Sequence, residues 1–226
     1  MNSTKINFRN LRITPEFARL LAHICGDGYM ATTRTKRSKR ELEQHPRRNL
    51  IRNRFHVRYC NDNTILLKQF VKDFKRVFNR IAVLIPSKNE IDVQAKWLYL
   101  LFKDLGAGKS KEWSVPKEIM EASDKIKSQW LMAFFDDEAY VSKIRKKIVL
   151  NIVNLKGLKQ IKKLLNDMSI NSKLNGPYFY KKFYSYHLTI YKSSIQRYSD
   201  FIGFTHPKKR RDLYNIVKNM GTQGIS

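Results

Sequence analysis

Hydrophobic and polar positions alternate along this chain in two rhythms, one near the helical period and one near the strand period. Apolar residues fill a stretch that reads as a helix over residues 15–26, with Thr14 as N-cap and Pro15 at the first helical position. Residues 29–60 are mostly polar, and an apolar–polar alternation returns only at Phe55-His56-Val57-Arg58-Tyr59, which predicts two strands around a long loop near Pro46. Ile65, Leu66, Phe70, Phe74, Val77 and Phe78 recur at helical spacing over 63–78. A hairpin over 81–93 turns near Ser87-Lys88-Asn89, and an apolar helix over 97–105 stops at Gly106. Residues 114–127 form a connection with a short helical stretch.

The order then repeats in fewer residues. A second apolar helix, with Ser128 as its candidate cap, is followed by a strand over 147–152 and a helix over 155–168. A hairpin over 172–191 turns near Gly176-Pro177 or Lys181-Lys182, and about half of its aromatics are expected in the core. A helix over 194–202 stops at Gly203, a basic segment follows (205–211), and the last helix starts at Asp212. The pattern is helix, strand pair, helix, strand pair, helix, used twice.

The two apolar helices end alike. Leu20-Leu21-Ala22-His23-Ile24-Cys25-Gly26-Asp27-Gly28 and Leu131-Met132-Ala133-Phe134-Phe135-Asp136-Asp137-Glu138-Ala139 both have a small third residue and an acid at the eighth position, and an aromatic follows each. Ala22 and Gly26 would let a second helix approach closely. Side by side, the helices would bring Asp27 and Glu138 to one point. Two carboxylates held together repel unless they share a proton or bind a cation, and hard cations favour oxygen ligands. A metal-bound acid pair suits attack of water on a phosphodiester.

Charge sharpens that reading. Among 226 residues the net charge is +26, which makes a polyanion the default partner. The basic residues concentrate between Arg34 and Arg58. No run of about 20 apolar residues suggests a membrane span, no secretory signal is visible, and two cysteines make no disulfide framework. An intracellular site is expected, in cytoplasm, nucleoid or organelle.

The two stretches resemble the LAGLIDADG motif of homing endonucleases. The copy ending at Ala139 is very similar to the common family form, departing at Asp137 and Ala139; the copy ending at Gly28 departs at His23 and Cys25. The resemblance implies an α+β fold of two αββαββα repeats whose antiparallel sheets form a pseudo-symmetric saddle, with repeats at 1–115 and 128–226 joined by 116–127. It implies a monomeric, intron-encoded enzyme that cuts both strands of duplex DNA across the minor groove, at a long pseudo-palindromic site. Mg²⁺ would be the cofactor, with Mn²⁺ as a substitute and Ca²⁺ supporting binding only. Asp27 and Glu138 would hold the metals, assisted by the backbone carbonyls of Gly26 and Asp137. Lys209 or Lys208 in one half, and Lys109 or Lys111 in the other, are candidates to polarise water or stabilise the transition state. DNA contacts would come from Arg34, Lys36, Arg37, Arg52, Arg54, Arg58, Lys147, Tyr180, Lys181, Lys182 and Lys192. Two other readings are an RNA maturase that binds its host intron and a cleavage-inactive DNA-binding regulator; intact acids at both eighth positions argue against the latter.

Other motifs carry less. Gly106-Ala107-Gly108-Lys109-Ser110 is no P-loop, because Lys103 stands where the first glycine is required. The five histidines lack zinc-site spacing. Asp136 is a candidate for helix capping or for supporting the metal site.

Overall fold

The computed structural model describes residues 12–180 and 183–221. Lys5 and Arg9, near the N-terminus, and Lys181 and Lys182, expected among the DNA contacts, lie outside the described residues. The first half runs α1 (Pro15–Cys25), β1 (Gly28–Lys36), α2 (Lys39–Gln44), β2 (Ile51–Cys60), α3 (Thr64–Phe78), β3 (Val83–Ile85), β4 (Glu90–Gln94) and α4 (Lys96–Asp104). A short α5 (Lys117–Met120) lies in the connection. The second half runs α6 (Asp124–Glu138), β5 (Ala139–Ser142), β6 (Lys147–Ile152), α7 (Leu155–Asp167), β7 (Ser172–Tyr180), β8 (Phe183–Tyr191) and α8 (Lys192–Phe201), followed by α9 (Pro207–Gly221). The fold is α+β, and the two antiparallel sheets form the expected saddle. Their strand orders, β1-β2-β4-β3 and β5-β6-β8-β7, are the same topology twice.

Local chemistry explains the helix starts. The Thr14 hydroxyl accepts from the Phe17 N–H at 3.2 Å, with Pro15 at the first position. Asn63 and Asn154 cap α3 and α7 in the same way, accepting from the amides of Ile65 and Gly157 at 3.0 Å each. Helices α1 and α6 pack side by side at the junction of the halves. Leu20, Leu21 and Ala22 of α1 and Leu131, Ala133, Phe134 and Phe135 of α6 are buried. Arg19 reinforces the junction: it binds both carboxylate oxygens of buried Asp73 on α3 at 2.7 Å and also reaches Gln129 on α6.

Several expectations are corrected. Ser123 precedes α6, and Ser128 lies inside the helix with its hydroxyl donating to the Lys125 carbonyl. The basic loop after β1 contains α2, which Ser38 caps. Strand β5, which carries little apolar alternation, pairs with β6. Strands β7 and β8 stay paired out to Tyr180 and Phe183, and Gly176-Pro177 sits within the ladder, at a register shift between Asn175 and Tyr178. Among its described aromatic side chains, Tyr186 packs against the core, while Tyr178, Phe179, Phe183, Tyr184 and Tyr191 are exposed. The last helix begins at Pro207 and absorbs most of the basic segment before Asp212. Ile65, which belongs to the apolar pattern of 63–78, is exposed instead of joining the core.

Candidate active site at the helix junction

The ends of α1 and α6 meet where both sheets begin. Asp27 lies between α1 and β1, and Glu138 is the last residue of α6. Gly28 is needed at this corner, because a Cβ there would sit 2.3 Å from the Ile24 Cα. Both acids are hard to ionise. Burial, with the nearby Asp137 carboxylate, pushes Asp27 up to about 6. Burial, with the charges of Asp27 and Asp137, pushes Glu138 up to about 7. The fold therefore brings together the two eighth-position acids in an environment that penalises their charge.

Asp137 links the repeats. Its side chain leaves α6 and is fully buried against the first half. There it accepts from the Tyr59 hydroxyl at 2.8 Å, pairs with His23 Nδ1 at 2.9 Å, and accepts from Asn61 Nδ2 at 3.3 Å. Gly26 makes the space: a Cβ at that position would lie 2.9 Å from Asp137 Oδ2. Burial opposes a charge on His23, but the Asp137 carboxylate outweighs it and the imidazole pKa is raised. The two departures from the motif, His23 and Asp137, are thus partners across the junction.

Lys209 stands over the same point. From the first turns of α9 its ammonium donates to the carbonyls of Phe135 (3.2 Å), Asp136 and Asp137 (3.3 Å). It therefore caps the C-terminus of α6. Burial lowers its pKa, against the pull of Asp136, Asp137, Asp27 and Glu138. Asp136 holds α9 in place by accepting from the backbone amides of Thr205 and His206 at 2.9–3.1 Å. Lys208 is exposed. In the opposite half Lys109 lines a cavity with Gly26 and Gly28, the residues on either side of Asp27, and Lys111 lies 4.6 Å over the Phe183 ring. Among the described residues no three His, Cys, Asp or Glu side chains converge as a ligand set. A metal here would draw on two carboxylates plus backbone and solvent oxygens.

Strand register sorts the basic residues, because directly paired antiparallel residues share a face. Tyr29, Ala31, Thr33 and Thr35 pair with Arg58, His56, Arg54 and Arg52, and these occupy the sheet face turned away from the helices. Arg34 and Lys36 pair with Asn53 and Ile51, on the other face. Arg37 and Arg52 are both tied to Glu41 of α2, at 2.5 and 2.7 Å. Arg58 pairs with Asp92 at 3.4 Å. Of the three arginines on the open face of β2, Arg54 alone has no acidic partner among the described residues. In the second sheet, Tyr140, Lys147, Val149, Asn151 and His187 line an open-face cavity that reaches Glu138. Tyr180 pairs with Phe183 at the hairpin end, and Lys192 belongs to α8 instead of a strand. Sequence reasoning missed Tyr59, Asn61 and His56. His56 is buried on the open face, bonded to Thr33 and Asp92 at 3.1 Å.

Comparison with known proteins agrees with this geometry. The profile of the LAGLIDADG-like domain matches residues 125–203. The LAGLIDADG fold extends over both halves: a mesophilic variant of the homing endonuclease I-DmoI superposes with a TM-score of 0.63 at 16% identity, covering 89% of this chain and 98% of that one. I-DmoI in complex with DNA and Mn gives 0.61 at 16% identity, covering 84% and 97%. The homing endonuclease I-WcaI bound to its DNA recognition sequence gives 0.54 at 14% identity, covering 94% of each chain. Full-length DUF199/WhiA from Thermatoga maritima also gives 0.54, at 13% identity, covering 94% of this chain and 64% of that one. A comparison with curated protein sequences gives no match. At such identities the structural likeness is one of fold.

Proposed function

We propose that the chain is a site-specific endonuclease for double-stranded DNA, with Asp27 and Glu138 as its metal-binding acids. The observation that carries this reading is their convergence at the α1–α6 junction, Asp27 exposed at its surface and Glu138 half-buried, with carboxyl pKa values raised to about 6 and 7. Two such acids fit a divalent cation: their charge is penalised by burial, and their ligand atoms are all oxygen. Lys209 offsets the charge only in part. When bound, Mg²⁺ or Mn²⁺ would supply Lewis acidity and a more acidic water.

The chain's own groups do the rest. The open sheet faces flank the acids and carry Arg54, Arg58 and Lys147 toward a duplex, so the scissile phosphates would lie over the junction. Lys209 keeps positive charge beside the acids, where a transition state gathers negative charge. The Asp137 carbonyl accepts from Lys209, so the cap and a metal would share that oxygen's lone pairs. I-DmoI, which shares the fold, is described with Mn, Mg and Ca, in keeping with a divalent cofactor. One observation favours a second reading, binding of intron RNA: Lys156, Lys159 and Lys163 are exposed on α7, whose buried face packs on its sheet.

The test is a cleavage selection on a randomised duplex library in Mg²⁺, with sequencing of the ends and Glu138→Gln as control. Double-strand breaks at one enriched sequence, lost in the variant, are expected. Specific binding without breaks would defeat the nuclease reading and turn attention to RNA.

A further inference from the structure

We propose that Asn61 is a positioning residue for Asp27, and that Asp137 anchors it from the other repeat. The proposal rests on the endonuclease reading above for its consequence in catalysis, but not for the geometry. Asn61 follows β2 directly. Its Nδ2 donates to Asp27 Oδ2 at 2.8 Å and, more weakly, to Asp137 Oδ1 at 3.3 Å. Its Oδ1 accepts from the Asn63 backbone amide at 2.8 Å, and its own amide donates to the Asn89 carbonyl at 3.1 Å. Only one orientation of the carboxamide satisfies this set, since both carboxylates accept and the Asn63 amide donates. The backbone bonds fix the residue; the side chain then fixes Asp27. Asp137, held in turn by Tyr59 and His23, supplies the second acceptor.

The second repeat lacks this device. Asn63 and Asn154 cap equivalent helices, and two residues before each stand Asn61 and Ile152. Ile152 has no side-chain donor for Glu138. Asp27 is therefore the oriented acid and Glu138 the less restrained one, an asymmetry built from a single position.

Two variants of the full chain separate positioning from mere folding. Asn61→Ser keeps a side-chain acceptor for the turn into α3 but is too short to reach Asp27; Asn61→Ala removes both roles. Thermal midpoint, Ca²⁺-supported DNA affinity, Mn²⁺ affinity by electron paramagnetic resonance, and single-turnover cleavage in Mg²⁺ are measured on each. Outer-shell changes typically cost about 10–100-fold in metal affinity or activity. The expected result is that Asn61→Ser melts with the wild type and binds DNA as well, yet loses at least about tenfold in Mn²⁺ affinity and in cleavage rate, matching Asn61→Ala. Full rescue of both by serine would show a structural turn only and overturn the proposal. If the wild type cuts no duplex, the endonuclease reading falls, and Mn²⁺ affinity alone decides: unchanged affinity in Asn61→Ser overturns the positioning role, and weakened affinity upholds it.

Discussion

His23 and Asp137 each stand out of place in the motif that carries them. Together they form a buried pair between the repeats, with the imidazole raised and the carboxylate bonded on every side. Removing one partner strands a buried charge, which typically costs about 3–5 kcal/mol. His23→Leu should therefore destabilise strongly in urea unfolding, whereas His23→Leu with Asp137→Gly, which removes both, should recover most of the loss. Simple additivity of the two single changes would contradict the pairing. The acids of the site set the pH dependence. Asp27 and Glu138 have folded pKa values raised to about 6 and about 7, so the folded state holds protons that the unfolded state has lost. Stability then falls as pH rises from about 4 through about 7. His23 acts in the same direction, since its stabilising charge is present below the ordinary imidazole pKa and is lost as pH rises through the raised one. Calorimetry without divalent metal should show a lower melting temperature at pH 8 than at pH 5. Mg²⁺ should raise it by several degrees at pH 8, on the order of 2–4 °C per kcal/mol for a chain of this size, and far less at pH 5. A melting temperature independent of pH and metal would contradict the site's electrostatics.

At the scale of elements, the two motif helices are legible in the sequence because each carries its own apolar run, small residues and terminal acid. The pairing of their side chains is not, because His23 and Asp137 lie 114 positions apart and no periodicity connects them. Asn61 and Tyr59 are invisible for the same reason. The faces of β1 are also hidden: a strand read from Thr32 to Lys36 has no apolar alternation, and only the register with β2 separates Arg34 from Arg54. The start of α9 does have a signal, though it resembles a break. Pro207 suits a first helical turn, and Asp136 satisfies the amides just before it. The register leaves Arg54 as the arginine of β2 that faces outward without an acid among the described residues, which makes it the DNA contact to test under the endonuclease reading. Arg54→Ala should weaken duplex binding, lowering the slope of log affinity against log salt by about one if it meets a phosphate, or relaxing base preference at one position if it meets a guanine. Unchanged affinity, slope and preference would remove this strand face from the interface.

The whole molecule joins two copies of one topology that have diverged where they meet. The first copy supplies His23, Tyr59, Asn61 and an oriented Asp27; the second supplies Asp137, Lys209 and a less restrained Glu138. The net charge of +26 over the chain favours the approach of the proposed duplex to a site that holds a pair of carboxylates. The metal-binding role of Asp27 and Glu138 is tested most directly by single-turnover cleavage of a plasmid bearing the selected site, comparing wild type with Asp27→Asn and Glu138→Gln at matched DNA occupancy. Mg²⁺-dependent linearisation by the wild type is expected, with a loss of about a hundred- to a thousandfold in each variant, the scale seen when a group acting on the transition state is removed, and with DNA binding retained. Linearisation by either variant at the wild-type rate would place the chemistry elsewhere.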